Sequence, residues 1–223
     1  MEDVYVLNYD CIRVIQNTSY IKLKCYFHVR LINKLFYAER NPISSLFIET
    51  MYYNDQMNES CFQNLTSLKI KCKKFPTEKI NMNLIHLQKL KIVVDRGRKR
   101  YTDYVKDCRV LSNLTHLSIS FYDIQDSEKI IRFDLKDCTH LKYLKLTNVI
   151  FENNSTRYFE KSTNLLSLIR IFTKYIGGEV ILHHENNSNL KYLKLHRIKN
   201  VELYGMTQLK TKIFESVENV VEY

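Results

Sequence analysis

Aliphatic residues recur along this chain in a short, repeated figure. The pattern L-x-x-L-x-L, with any large aliphatic allowed, fits Ile43/Leu46/Ile48, Leu65/Leu68/Ile70, Leu87/Leu90/Ile92, Leu114/Leu117/Ile119, Leu141/Leu144/Leu146 and Leu190/Leu193/Leu195, with a less regular copy at Leu166/Ile169/Ile171. Two copies share the six residues Leu-Lys-Tyr-Leu-Lys-Leu, at 141–146 and 190–195. First positions at 43, 65, 87, 114, 141, 166 and 190 are separated by 22, 22, 27, 27, 25 and 24 residues. Alternation of aliphatic and polar positions within each copy predicts a short strand with one face in a core. One such strand cannot bury its apolar face alone, whereas stacked copies share a continuous core from about three units upward. A solenoid of about seven repeats is therefore expected.

The figure and its spacing resemble the leucine-rich repeat, whose period is roughly 20–29 residues. That resemblance implies an α/β solenoid with parallel strands on its concave face. The family's asparagine or cysteine position, three residues after the last leucine, is taken here by Lys73, Asp95, Tyr122, Val149 and Ile198, so the repeat is an irregular one. Between strands, residues 126–131 read as helical from an acidic start, and Gly177-Gly178 reads as a turn ahead of Val180-Ile181-Leu182. The basic runs Lys71-Cys72-Lys73-Lys74 and Arg96-Gly97-Arg98-Lys99-Arg100 are expected in turns on one side. After Leu195 the pattern decays, with Ile213-Phe214 and Val217/Val220/Val221 left as a last cap or a broken repeat.

Residues 1–40 do not carry the figure and are read as a separate segment, with the solenoid spanning 41–223. Leu7, Ile12, Ile15, Leu23, Phe27, Leu31, Ile32, Leu35 and Phe36 have helix-like offsets, broken near Gln16-Asn17-Thr18-Ser19. Asn41-Pro42 marks the boundary, because the residue before proline is pushed out of helix. The run Leu7-Asn8-Tyr9-Asp10-Cys11-Ile12, with Tyr20-Ile21-Lys22-Leu23-Lys24 and Ile32-Asn33-Lys34-Leu35-Phe36, resembles an F-box, with Asn8 where that family usually has proline and Phe36 where tryptophan is commonest. The resemblance implies a substrate receptor of a cullin-based ubiquitin ligase. In it, Leu7, Ile12, Ile15, Leu23, Ile32 and Phe36 would contact a Skp-type adaptor and the repeats would hold a target protein. Read from the residues alone, the same segment is an amphipathic cap sealing the first repeat.

Composition narrows the field. Thirty-four Lys and Arg against 24 Asp and Glu leave a formal charge of +10, which favours acidic partners or nucleic acid. Four glycines in 223 residues leave no phosphate-cradling loop, and His183-His184-Glu185 lacks the H-E-x-x-H spacing of a zinc site. No catalytic residue, metal ligand or cofactor is assigned. His86 and His140, each one place before the first leucine of a copy, are expected to serve repeat packing. Six cysteines stand singly, without C-x-x-C, as expected of reduced thiols in a cytoplasmic or nuclear protein. No membrane span or secretory signal is read. The abundance of Lys, Asn, Ile and Tyr is similar to that of F-box and repeat proteins from A/T-rich genomes, including large DNA viruses, which would place its action in a host cell.

The residues between the leucines should face outward. Their central position runs Phe47, Lys69, Lys91, Ser118, Lys145, Arg170 and Lys194, with Lys71, Lys89, His116, Tyr143, Tyr192 and His196 beside it. Neighbouring like charges repel by on the order of a few tenths of a kcal/mol, so the stripe points to an anionic partner. Lys69, Lys91, Tyr143, Lys145, Arg170, Tyr192 and Lys194 are the residues expected to bind an acidic target protein. Nucleic acid, held by the same lysines with tyrosines stacking on bases, is the other anionic partner considered.

Overall fold

The computed structural model describes residues 20–25, 44–50, 64–72, 86–95, 103–105, 113–122, 131–133, 138–149, 164–172 and 177–223. In chain order its strands are β1 (Tyr20–Cys25), β2 (Ser45–Thr50), β3 (Ser67–Cys72), β4 (Lys89–Asp95), β5 (Asp103–Val105), β6 (His116–Tyr122) and β7 (Ile131–Phe133). They continue as β8 (Tyr143–Thr147), β9 (Ser167–Ile171), β10 (Gly177–His183), β11 (Tyr192–His196), β12 (Ile198–Tyr204), β13 (Thr211–Glu215) and β14 (Asn219–Glu222). The one helix among the described residues is the single turn α1 (His184–Asn187). A nine-stranded sheet runs β1-β2-β3-β4-β6-β8-β9-β11-β13, a three-stranded sheet runs β10-β12-β14, and β5 pairs with β7. Every pairing is parallel. The described residues form a parallel β-solenoid with almost no helix.

The leucine figure builds this stack directly. Its first positions, Leu65, Leu87, Leu114, Leu141, Leu165 and Leu190, lie just ahead of the large-sheet strands and are at most 1% exposed. Its second positions, Leu46, Leu68, Leu90, Leu117, Leu144, Leu168 and Leu193, are register partners on successive strands and at most 2% exposed. Fully burying each such side chain is worth roughly 1.5–3 kcal/mol. A one-residue slip would turn the whole set outward, so the register is strongly specified.

The irregular seventh copy takes a different register from the one its aliphatics suggest. Leu165, Leu168 and Arg170 occupy the three inward positions, and Ile169 and Ile171 face out. The run Leu165-Leu166-Ser167-Leu168-Ile169-Arg170-Ile171 offers two registers of similar hydrophobicity, and the neighbouring strands choose between them. Arg170 therefore leaves the surface stripe and is 3% exposed. Burying a cation is tolerated only when it finds partners. Here Nη1 donates to the Glu179 carbonyl at 2.7 Å, and the guanidinium lies 5.3 Å from the Phe172 ring centroid.

Other expectations change for related reasons. Tyr20–Cys25, inside the segment expected to be helical, is β1 and pairs in register with β2 across the proposed 40/41 boundary. Ile21 and Leu23 alternate with Lys22 and Lys24, and the edge of β2 supplies the hydrogen bonds that this period-two pattern needs. Leu7, Ile12, Ile15, Ile32 and Phe36 lie outside the described residues, as do Arg96-Gly97-Arg98-Lys99-Arg100. Gly177 and Gly178 open β10 instead of making a turn, Lys71 and Cys72 end β3, and Ile131 begins β7. Beyond Leu195 the chain completes further coils, with β12 and β14 stacking beside β10.

Corners hold the coils together. Asn148, Arg197 and Ser216, each directly after a strand of the large sheet, have φ of 54°, 56° and 55°. This left-handed conformation costs roughly 1–2 kcal/mol for most residues and least for asparagine and glycine. Asn148 is buried and bonds in both directions: its amide donates to the Ile171 carbonyl at 2.8 Å and its Nδ2 to the Phe121 carbonyl at 2.7 Å. A second ladder precedes the large-sheet strands, where Thr66 Oγ1 donates to the Ser44 carbonyl, Thr115 Oγ1 to the Gln88 carbonyl and Asn164 Nδ2 to the Thr139 carbonyl.

Candidate interaction surface

Because side chains alternate along a strand, the outward face of the large sheet is laid out in rows that cross the strands. One row reads Ser67, Lys89, His116, Tyr143, Ser167, Tyr192, and the next reads Phe47, Lys69, Lys91, Ser118, Lys145, Ile169, Lys194. Strand spacing of about 4.8 Å separates neighbours in a row. The small serines, set among long lysines and rings, leave a groove of about 360 Å³ lined by Lys69, Lys89, Lys91, His116, Tyr143, Lys145 and Ile169, with Ser67, Ser118 and Ser167 among them.

Its charge is uneven. At the β2–β3 side, Lys71 Nζ pairs with Glu49 at 3.0 Å, and Lys69 Nζ lies 4.2 Å from the Phe47 ring centroid. At the far side, Lys194 Nζ and His196 Nδ1 both reach Glu215, at 2.9 and 3.1 Å. The Lys194 pair raises the ammonium pKa and lowers the carboxyl pKa, mainly through that hydrogen bond. Between these flanks, Lys89, Lys91 and Lys145 have no ion-pair partner among the described residues. His116 stacks on Tyr143 with centroids 4.3 Å apart and planes 19° from parallel. Its pKa is pushed down by burial, and further by Lys89 and Lys142, which keeps the ring neutral near pH 7.

Of the residues expected to bind a target, Lys69, Lys91, Tyr143, Lys145, Tyr192 and Lys194 share this face, and Arg170 is withdrawn into the core. The contribution of Ser118 and Ser167 was not read from the sequence, nor was the neutralising role of Glu49 and Glu215. A signal for the true seventh register was present, because Asn or His precedes the first leucine at Asn64, His86, Asn113, His140, Asn164 and Asn189. Asn164 thus marks Leu165 as the first position. A polar recess of about 590 Å³ lies along this column, lined by Asn64, Thr66, His86, Gln88, Asn113, Thr115 and His140. Among the described residues there is no group of three or more metal-ligating side chains, and no helix is long and apolar enough to cross a membrane.

Fold and surface together define a parallel β-solenoid that displays a basic groove edged with aromatic rings. No protein-family model matches the chain, and no curated protein matches it.

Proposed function

We propose that this chain is a binding scaffold that holds an acidic segment of a partner protein across the outward face of its large sheet. The observation behind this reading is the set Lys89 and Lys91 on β4 and Lys145 on β8, three ammonium groups without ion-pair partners among the described residues, in a groove whose flanking lysines Lys71 and Lys194 are already paired. Such a cluster costs stability in the free protein and loses that cost when carboxylates arrive. The solenoid contributes rigidity, so little ordering entropy is lost on its side of the complex. A nucleic acid would need a longer run of phosphate contacts than a track bracketed by Glu49 and Glu215 offers. The adaptor-docking half of the F-box resemblance depends on residues 1–40, and the groove adds nothing to it; the target-holding half is what this proposal keeps.

The test is binding of a fluorescent glutamate 20-mer to the intact chain at low and physiological salt. Saturable, salt-sensitive binding that falls at least about tenfold in the Lys89→Glu, Lys91→Glu, Lys145→Glu triple variant is expected. Absence of binding, or indifference to the triple reversal, would remove the proposal.

A further inference from the structure

The small sheet shows what this solenoid does with rings at matched outward positions. His183 of β10, Tyr204 of β12 and Tyr223 stack in an unbroken column, with centroids 4.5 and 4.4 Å apart and planes within 5° of parallel. On the large sheet the corresponding column begins with His116 and Tyr143 at 4.3 Å and is then interrupted. The next register position is Ser167, and the one beyond it is Tyr192. A hydroxymethyl group stands where the pattern has room for a ring. Two strand steps separate the flanking positions by about 9.6 Å, so a ring midway would lie about 4.8 Å from each neighbour, within the roughly 4.5–7 Å of ordinary aromatic pairs. Tyr143 is 42% exposed, and Lys145, two residues further along β8, lies in the same groove.

We infer that the gap over Ser167 is a recognition slot for an aromatic side chain of the acidic partner, sandwiched between Tyr143 and Tyr192, with carboxylates beside that ring meeting Lys145 and Lys91. The inference rests on the acidic-partner reading and sharpens it: the preferred ligand is an aromatic residue flanked by Asp or Glu. A nucleobase would fit the same gap. Peptide is favoured because the groove holds only a short group of lysines without ion-pair partners among the described residues, ended on both sides by glutamates that would face a phosphate chain.

The experiment compares three labelled probes by fluorescence anisotropy against the full chain: an acidic nonapeptide with a central tyrosine, the same peptide with alanine there, and a thymidine dodecamer. The decisive variant is Ser167→Tyr, which completes the protein's own column at an outward strand position where aromatic residues are well accommodated; Tyr143→Ala, which removes one wall, is the second. The tyrosine peptide should bind at least about tenfold more tightly than the alanine peptide. Either variant should erase that preference, so that the tyrosine and alanine peptides bind it with equal affinity. Equal binding of both peptides by the native chain overturns the slot and spares the acidic-partner reading, whereas failure of both peptides overturns the two together. Tightest binding of the dodecamer, lost in Ser167→Tyr, assigns the slot to a base and overturns the peptide.

Discussion

The large and small sheets are faces of one coil, built with the same parallel pairing and the same inward aliphatics, yet their outward surfaces differ in how they treat polar groups. On the small sheet they bond to one another. Asn200 Nδ2 donates to Glu179 at 2.8 Å, Asn219 Nδ2 donates to Asn200 Oδ1 at 2.9 Å, and the Tyr204 hydroxyl donates to Glu202 at 2.7 Å. That last bond, with burial and Tyr223 adding to it, pushes the Tyr204 pKa up to about 12. On the large sheet the middle lysines Lys89, Lys91 and Lys145 have no such partners among the described residues, and a serine interrupts the ring column. Cross-strand pairs that satisfy each other consolidate a sheet; a row of like charges does the opposite and is relieved by an outside anion. On the proposed reading, the contrast leaves structure to one face and recognition to the other.

The joint between the faces carries the largest expected effect. Arg170 reaches from β9 to the Glu179 carbonyl in β10, so Arg170→Ala should lower unfolding free energy by about 2–4 kcal/mol, through lost packing and an orphaned carbonyl. Arg170→Leu restores the aliphatic found elsewhere in that column and should come within about 1 kcal/mol of the native chain. Urea denaturation distinguishes them, and an equal loss in both would mean that the guanidinium's bonds outweigh its desolvation. Next is charge. The triple lysine reversal should weaken binding of the glutamate probe at least about tenfold, whereas Glu179→Lys on the small sheet should leave it within about twofold; comparable effects would erase the distinction between the faces. Asn148→Ala should cost about 1–3 kcal/mol by thermal or chemical melting, since it removes a buried hydrogen bond at a left-handed corner; no change would show that the backbone alone holds the turn.

The smallest effect is one of pH. The folded-state pKa of His116 lies below its ordinary value, so the unfolded chain takes up the proton first. The contribution of neutral His116 is complete above pH about 6.5 and is lost as pH falls through the lower folded value. Melts between pH 7.5 and 5 should show a slope that His116→Phe reduces, and an unchanged slope would locate the titration elsewhere.

Much of this was legible before any coordinates, because period-two alternation at near-even spacing leaves few alternatives to stacked parallel strands. Five copies, those beginning at Leu65, Leu87, Leu114, Leu141 and Leu190, have all three aliphatics in the core as the pattern predicts, and the lysines of the face follow from the alternation. Three things were hidden. Arg170 sits in a run where two registers are equally hydrophobic, and a charged residue argues locally for the wrong one. β1 has offsets that fit a helix as well as a strand, and the free edge of β2 resolves the ambiguity. Gly177 and Gly178, ordinarily turn residues, are held extended in β10 by its pairing with β12, where Gly177 faces Ile198, 21 residues away in the chain.

By itself the sequence determined the periodic core, the parallel stacking and the basic character of one face, since each is a local pattern repeated many times. Tertiary structure alone decided which lysines are paired with glutamates, which arginine is buried, and where a column of rings is left with a space. These depend on which strands become neighbours, and a difference of one residue in register moves a side chain from solvent to core.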